Sequence, residues 1–177
     1  MSLRRAAITT LLLTCAACVP RAPAPTPAPP VERPVARPTP TPTPVPTYTS
    51  WMDVPQTLGD WRYETSARGS AAVFGAGASD MQFALRCTRG VGSITLARAG
   101  SFAPDTRLTV RTESMTRAVQ PAPIGENNAW IGSLNANDPL LDAMAFSKGR
   151  FAIEAAGAPT LYLPSWPEVT RVIEDCR

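Results

Sequence analysis

Four cysteines and no histidine set the chemistry open to this chain of 177 residues. Without imidazole there is no His-based triad, no His metal site and no ordinary neutral-pH proton shuttle. The thiols fall into two groups: Cys15 and Cys18 stand close together near the start, whereas Cys87 and Cys176 are widely separated in the remainder. Asp138 and Asp142, four apart on a helix, are placed to share a proton or a cation, but Asp138 suits a helix cap and Asp142 the exposed side of the same helix. Ser147-Lys148-Gly149-Arg150 sets the single lysine beside an arginine where that helix ends, which fits either an anion or the helix dipole. Gly75-Ala76-Gly77 lacks the spacing of a phosphate loop and reads as a turn. Nucleophile, base and metal ligands are not assembled into any known arrangement, so the reading is a non-enzyme with no metal and no cofactor.

Net charge is +3, which taken whole invites a nucleic-acid partner. Of the 17 basic and 14 acidic residues, five basic and one acidic lie before residue 48, leaving 12 and 13 in the rest. The remainder is therefore slightly acidic, and nucleic acid is excluded as the expected ligand.

Residues 1–17 read as a leader. Arg4 and Arg5 form a positive start, Ala6 to Leu13 an apolar stretch much shorter than the ~20 residues that span a bilayer, and Ala16 and Ala17 the small residues before a cut. Small residues followed by cysteine resemble the lipobox of bacterial lipoproteins, in which that cysteine takes lipid and becomes the first residue. Cys18 fits with Ala16 and Ala17 before it, although Cys15 stands where the family has leucine. Cys15 has Leu12 and Leu13 before it but an unsuitable Thr14 at the cut. Parity decides for Cys18, because cutting there leaves Cys87 and Cys176 as a pair, whereas cutting at Cys15 leaves an odd thiol. A plain secretory signal is the alternative. Val19, in place of the aspartate that retains many such proteins at the inner membrane, makes the outer membrane facing the periplasm the destination by resemblance.

Residues 18–47 follow as a tether. Twelve of the 20 prolines fall between Pro20 and Pro46, a composition for polyproline II without a core. At ~3.1 Å per residue the segment reaches about 85 Å. A proline-rich ligand for another domain, or glycosylation at Thr39, Thr41 and Thr43, is the other use of such a sequence.

Residues 48–177 carry a period of two. Trp61, Tyr63 and Thr65 alternate with polar neighbours, as do Met81, Phe83, Leu85 and Cys87, then Ile94 and Leu96, then Leu108 and Val110. These predict antiparallel strands, with further short ones at Phe151–Glu154 and Thr160–Leu163 and turns at Arg68-Gly69-Ser70, Gly90-Val91-Gly92 and Ala103-Pro104-Asp105. Asp138 and Pro139 open a helix expected to run through Phe146 and stop at Gly149. Ser165-Trp166-Pro167-Glu168 has the form of a capping box before a last helix, on which Val169, Val172, Ile173 and Cys176 share a face. The fold class is thus α+β: an antiparallel β-rich domain with a short helix and a C-terminal helix. Cys87 has core-facing parity, so laying that helix over the sheet predicts a Cys87–Cys176 disulfide, two buried free thiols being the alternative. If strands Met81–Thr88, Ser93–Ala97 and Arg107–Glu113 are neighbours, Arg86, Arg107 and Arg111 gather with Thr88, Thr95 and Thr109 on one outward face. Threonine and arginine suit a plain solvated face, by β-propensity and solubility, and that is the first reading; the functional alternative is that the face grips a carboxylate- or phosphate-bearing cell-wall ligand, a lipid headgroup or an acidic protein surface, with Lys148 and Arg150 as the second choice.

The runs Asp138–Gly157 and Leu163–Arg177 resemble uncharacterised small secreted proteins or lipoproteins of Gram-negative bacteria, a family that brings no activity with it. A fainter likeness, in which a strand cysteine is tied to one near the chain end, is to lysozyme inhibitors and type VI secretion accessory modules. Together these imply an envelope protein held in the membrane through lipid on Cys18, acting as a non-catalytic binding or support module. An inhibitor of a cell-wall hydrolase and an envelope enzyme are the alternatives.

Overall fold

Trp61 shows how the alternation becomes a core. It is buried on the first strand, meets Phe74 edge-on at 5.3 Å and Phe151 at 6.4 Å, and its indole N–H donates to the Pro164 carbonyl at 2.8 Å. Phe74 belongs to one sheet and Phe151 and Pro164 to another, so this side chain pins two sheets face to face. The computed structural model describes residue 24 and residues 46–122 and 129–177. Contacts divide the chain at residue 45, and the unit Val45–Arg177 contains every element that follows. The leader 1–17, Cys18 and nearly all of the tether 18–47 lie outside the described residues.

The first sheet has the order β1 (Asp60–Ser66), β2 (Gly69–Gly75), β3 (Phe83–Thr88), β4 (Ser93–Ala99), β7 (Ala129–Asn135); the second has β6 (Thr116–Val119), β5 (Leu108–Arg111), β8 (Arg150–Ala155), β9 (Leu161–Pro164). All pairs are antiparallel. Phe74, Phe83, Leu85, Ile94 and Leu96 from the first sheet and Leu108, Val110, Phe151, Ile153 and Leu163 from the second form one core. Burying each such side chain stabilises the fold by about 1.5–3 kcal/mol. The β3–β4 turn fits its sequence: Gly90 and Gly92 stand at φ +74° and +64°, where a Cβ is disfavoured.

Helix α1 (Pro139–Ala145) begins as expected, Asp138 accepting the Leu140 N–H at 2.8 Å. It ends early. Ser147 is buried, its hydroxyl donating to the Arg150 carbonyl and accepting from the Glu113 N–H, which draws the chain off the helix before Gly149 and leaves Phe146 in solvent. Helix α2 (Pro167–Glu174) covers β1, β2 and β3 with Val169, Val172 and Ile173 buried. The expected capping box does not form. Pro167 takes the first helical position, Trp166 becomes the N-cap without a side-chain bond, and the Ser165 hydroxyl donates to the Met144 carbonyl of α1 instead, at 2.9 Å.

Cys87 and Cys176 are disulfide-bonded, with Cα atoms 5.4 Å apart and a sequence separation of 89. The fold is α+β, mostly antiparallel sheet with two short helices, and the bridge ties the end of the chain just beyond α2 to β3.

Candidate functional site

The expected arginine face is divided between two sheets. β3 and β4 are neighbours, but β4 pairs on its other side with β7, and the chain crosses to the second sheet before β5. Parity had assigned each residue to the outward side of its own strand, yet Arg86 stands on the first sheet, and Arg107 and Arg111 on or beside the second. Most of these charges are already engaged. Arg111 pairs with Glu154 across β5 and β8 at 3.4 Å, Lys148 pairs with Glu113 at 2.9 Å, and Arg150 donates to the Val54 carbonyl. Glu113 also raises the Lys148 pKa, through its hydrogen bond first and its charge second. Arg86 lies back along its own strand to Met81 Sδ, at 3.7 Å. A second buried cluster, Ala71, Val73, Ala84 and Ala97 with Met81 packed against it, lies on the outer side of the first sheet. Met81 accordingly faces outward and precedes β3, contrary to the inward position its spacing implied.

The carboxylate pair is structural. Asp138 caps α1 and meets Arg117 at 2.7 Å, while Asp142 meets Arg177 at 2.6 Å. The Gly75-Ala76-Gly77 turn closes on its own chain, the Ala76 N–H donating to Asp80 at 3.0 Å. Among the described residues no three metal-ligating side chains come together.

Beside the disulfide, the Tyr63 hydroxyl donates to Asp175 at 2.6 Å and the Arg171 guanidinium stacks 3.9 Å above the Tyr63 ring. The Ser70 hydroxyl and then the Tyr63 hydroxyl, with Arg171 and Arg89 beside them, hold the Asp175 carboxyl below its ordinary range. Ser70 Oγ is buried without a hydrogen-bond partner, so the Tyr63 bond is the one fixed by geometry.

A concavity of about 430 Å³ opens where the chain leaves β4 and where β7 begins. Phe102, Pro104, Pro121, Trp130 and Ile131 wall it, and small residues such as Gly100 and Ala122 leave its space. Trp130 is fixed by its indole N–H donating to the Thr106 carbonyl at 2.7 Å and by lying over Gly132, where a Cβ would come within 2.3 Å of the ring. Next to Trp130 in register stands Arg98, 5% exposed. Its guanidinium donates to the Pro159 carbonyl at 2.7 Å, its Nε has no partner, and it forms no ion pair among the described residues. Burial lowers its pKa. A buried cation without a counter-charge is costly.

Sequence reasoning missed Phe102, Trp130 and Arg98. Arg98 shares the inward parity of Ile94 and Leu96, and a charged residue at an inward position was the available signal. It also missed a pair of exposed aromatics, Phe146 at 74% and Trp166 at 40%, the first assigned to a helix interior and the second to a capping box. Comparison with known protein families, with curated proteins and with solved structures finds no match.

Proposed function

We propose that this protein is a lipid-anchored envelope protein, held through Cys18 at the outer membrane, whose disulfide-closed domain binds or supports a partner without catalysing a reaction. The observation that carries the reading is the Cys87–Cys176 bridge. It uses both cysteines of the domain and leaves Cys18 as the unpaired thiol in a chain cut before it, which is what a lipid-modified cysteine requires. Disulfides also persist in oxidising compartments, the destination that the leader implies.

A binding rather than catalytic role draws support from the concavity. Its described walls are aromatic, proline and small side chains with backbone, and they carry no titratable group to move a proton. Among the described residues no helix is long and apolar enough to cross a membrane. One observation favours the hydrolase-inhibitor reading as second choice, namely a strand cysteine bonded to one at the end of the chain.

Metabolic labelling with a fatty-acid analogue tests the proposal. The wild type takes label and sediments with membranes, Cys18→Ser loses both, and Cys15→Ser keeps both. Label that persists in Cys18→Ser overturns the assignment.

A further inference from the structure

Three hydrogen bonds gather separate pieces of chain at one end of the domain. Ser165 Oγ donates to the Met144 carbonyl at 2.9 Å, the Ser165 N–H donates to the Gly149 carbonyl at 3.2 Å, and Arg150 donates to the Val54 carbonyl. The first two set the loop after α1, with Phe146 and Lys148, against the start of α2, with Trp166. The third brings in the strap of residues 50–57, which then runs along β9, the Thr57 N–H donating to the Tyr162 carbonyl at 3.0 Å. Phe146, Trp166 and Tyr48 are three of the large apolar side chains most open to solvent among the described residues. Two lie on these loops, and Tyr48 lies six residues before Val54, on the chain that leads back to Pro46 and the proline-rich segment. Leu58, at the far end of the strap, and Val91, in the β3–β4 turn, are the exposed exceptions.

Phe146 follows the last turn of α1 and is 74% exposed, and Trp166 caps α2 without a side-chain bond. Tryptophan, tyrosine and phenylalanine are residues that sit at a membrane–water interface, where an aromatic body enters the apolar boundary and a polar tip stays wet. We infer that this end of the domain, through Phe146 and Trp166, rests on the lipid surface. The inference builds on the proposal that Cys18 carries lipid, since an anchor at the far end of the tether keeps the domain within reach of the membrane and lets a weak patch act. The Lys148 charge is matched by Glu113 at 2.9 Å, so attachment is apolar and nearly independent of headgroup charge and salt.

The test uses the mature full-length lipoprotein in phosphatidylcholine vesicles containing brominated acyl chains, read by tryptophan fluorescence. Trp61 and Trp130 are buried and Trp51 is half-buried, so the difference between the wild type and Trp166→Phe isolates the emission of the exposed tryptophan. Brominated lipid should quench the wild type, Trp166→Phe should lose at least half of that quenching, and Phe146→Ala should weaken it. Replacing a third of the lipid by phosphatidylglycerol should alter it less than twofold. Trp166→Phe and Phe146→Ala should keep the wild-type circular dichroism and disulfide, which separates loss of contact from loss of fold. Lipid found on Cys18 by mass with Trp166 unquenched, whether bare or covered by a co-extracted protein, overturns the inference and leaves the anchor standing. Quenching by vesicles of a chain found to lack lipid supports the patch and overturns the anchor instead.

Discussion

The two ends of helix α2 are built on opposite principles. At its C-terminal end Cys176 is bonded to Cys87, Asp175 accepts from Tyr63, Arg171 covers the Tyr63 ring, and Arg177 reaches Asp142 and Glu174. At its N-terminal end the cap makes no side-chain bond, Trp166 is open to water, and the neighbouring Phe146 is still more exposed. One end is closed by a covalent bond and a polar network around it. The other is held by backbone-directed hydrogen bonds behind it and leaves its aromatic side chains free. Covalent and polar closure is thus concentrated at one end of α2, and exposed aromatic surface stands at the other.

The sharpest way to break this comparison is to cut each end in turn. Cys87→Ser or Cys176→Ser should lower unfolding free energy by about 2–5 kcal/mol in denaturant titration, since the bridge closes a loop of 89 residues. Phe146→Ala and Trp166→Ala should each change it by no more than about 0.5 kcal/mol, as surface substitutions do. Comparable losses at both ends would dissolve the distinction.

A smaller effect is expected at the start of α1, which the Arg177 bonds to Ala136 and Asp142 set beside the locked end. Asp138→Ala removes the cap on the Leu140 N–H and the pairing with Arg117, and should cost about 1 kcal/mol in the same titration. Asp138→Asn, which keeps an accepting oxygen without the charge, should recover most of it. An Asn variant as unstable as the Ala variant would mean that the ion pair, not the cap, holds the helix.

The smallest effect belongs to the locked end. Asp175 titrates lower in the folded protein than in the unfolded chain, so the unfolded state binds more protons through that range. Its contribution is present above the ordinary carboxylate range and is lost as pH falls through the folded value. Asp175→Asn should therefore flatten the acid side of the thermal stability profile. An unchanged acid limb would remove Asp175 from the network.

How much of this was legible in the sequence follows from what each signal reports. Alternation reports a face, so Trp61, Leu85 and Cys87 were placed correctly, and with them the disulfide. It does not report a neighbour, so β5 was grouped with β3 and β4 although it lies in the other sheet. β2 was not foreseen because Gly69–Gly75 is buried on both faces, which removes the polar half of the pattern. In β7, Gly132 stands at an inward position to make room for the Trp130 ring and breaks the apolar rhythm. Cap chemistry is local, so Asp138 was read correctly. At Ser165 the competing partner was the Met144 carbonyl, 21 residues away, and no local rule points there. The candidate surfaces were the least visible for the same reason: the loops that carry Phe146 and Trp166 are joined by tertiary hydrogen bonds of Ser165, and Arg98 acquires its isolation from packing across β4, β7 and the Pro159 turn.

Intact mass of the protein extracted from the membrane fraction, measured with and without reductant, tests the central claim most directly. A lipid-anchored, disulfide-closed chain should begin at Cys18, carry the mass of attached lipid, and gain a pair of hydrogens at Cys87 and Cys176 on reduction. An unmodified chain beginning at another residue, or one whose mass does not change on reduction, would contradict the account.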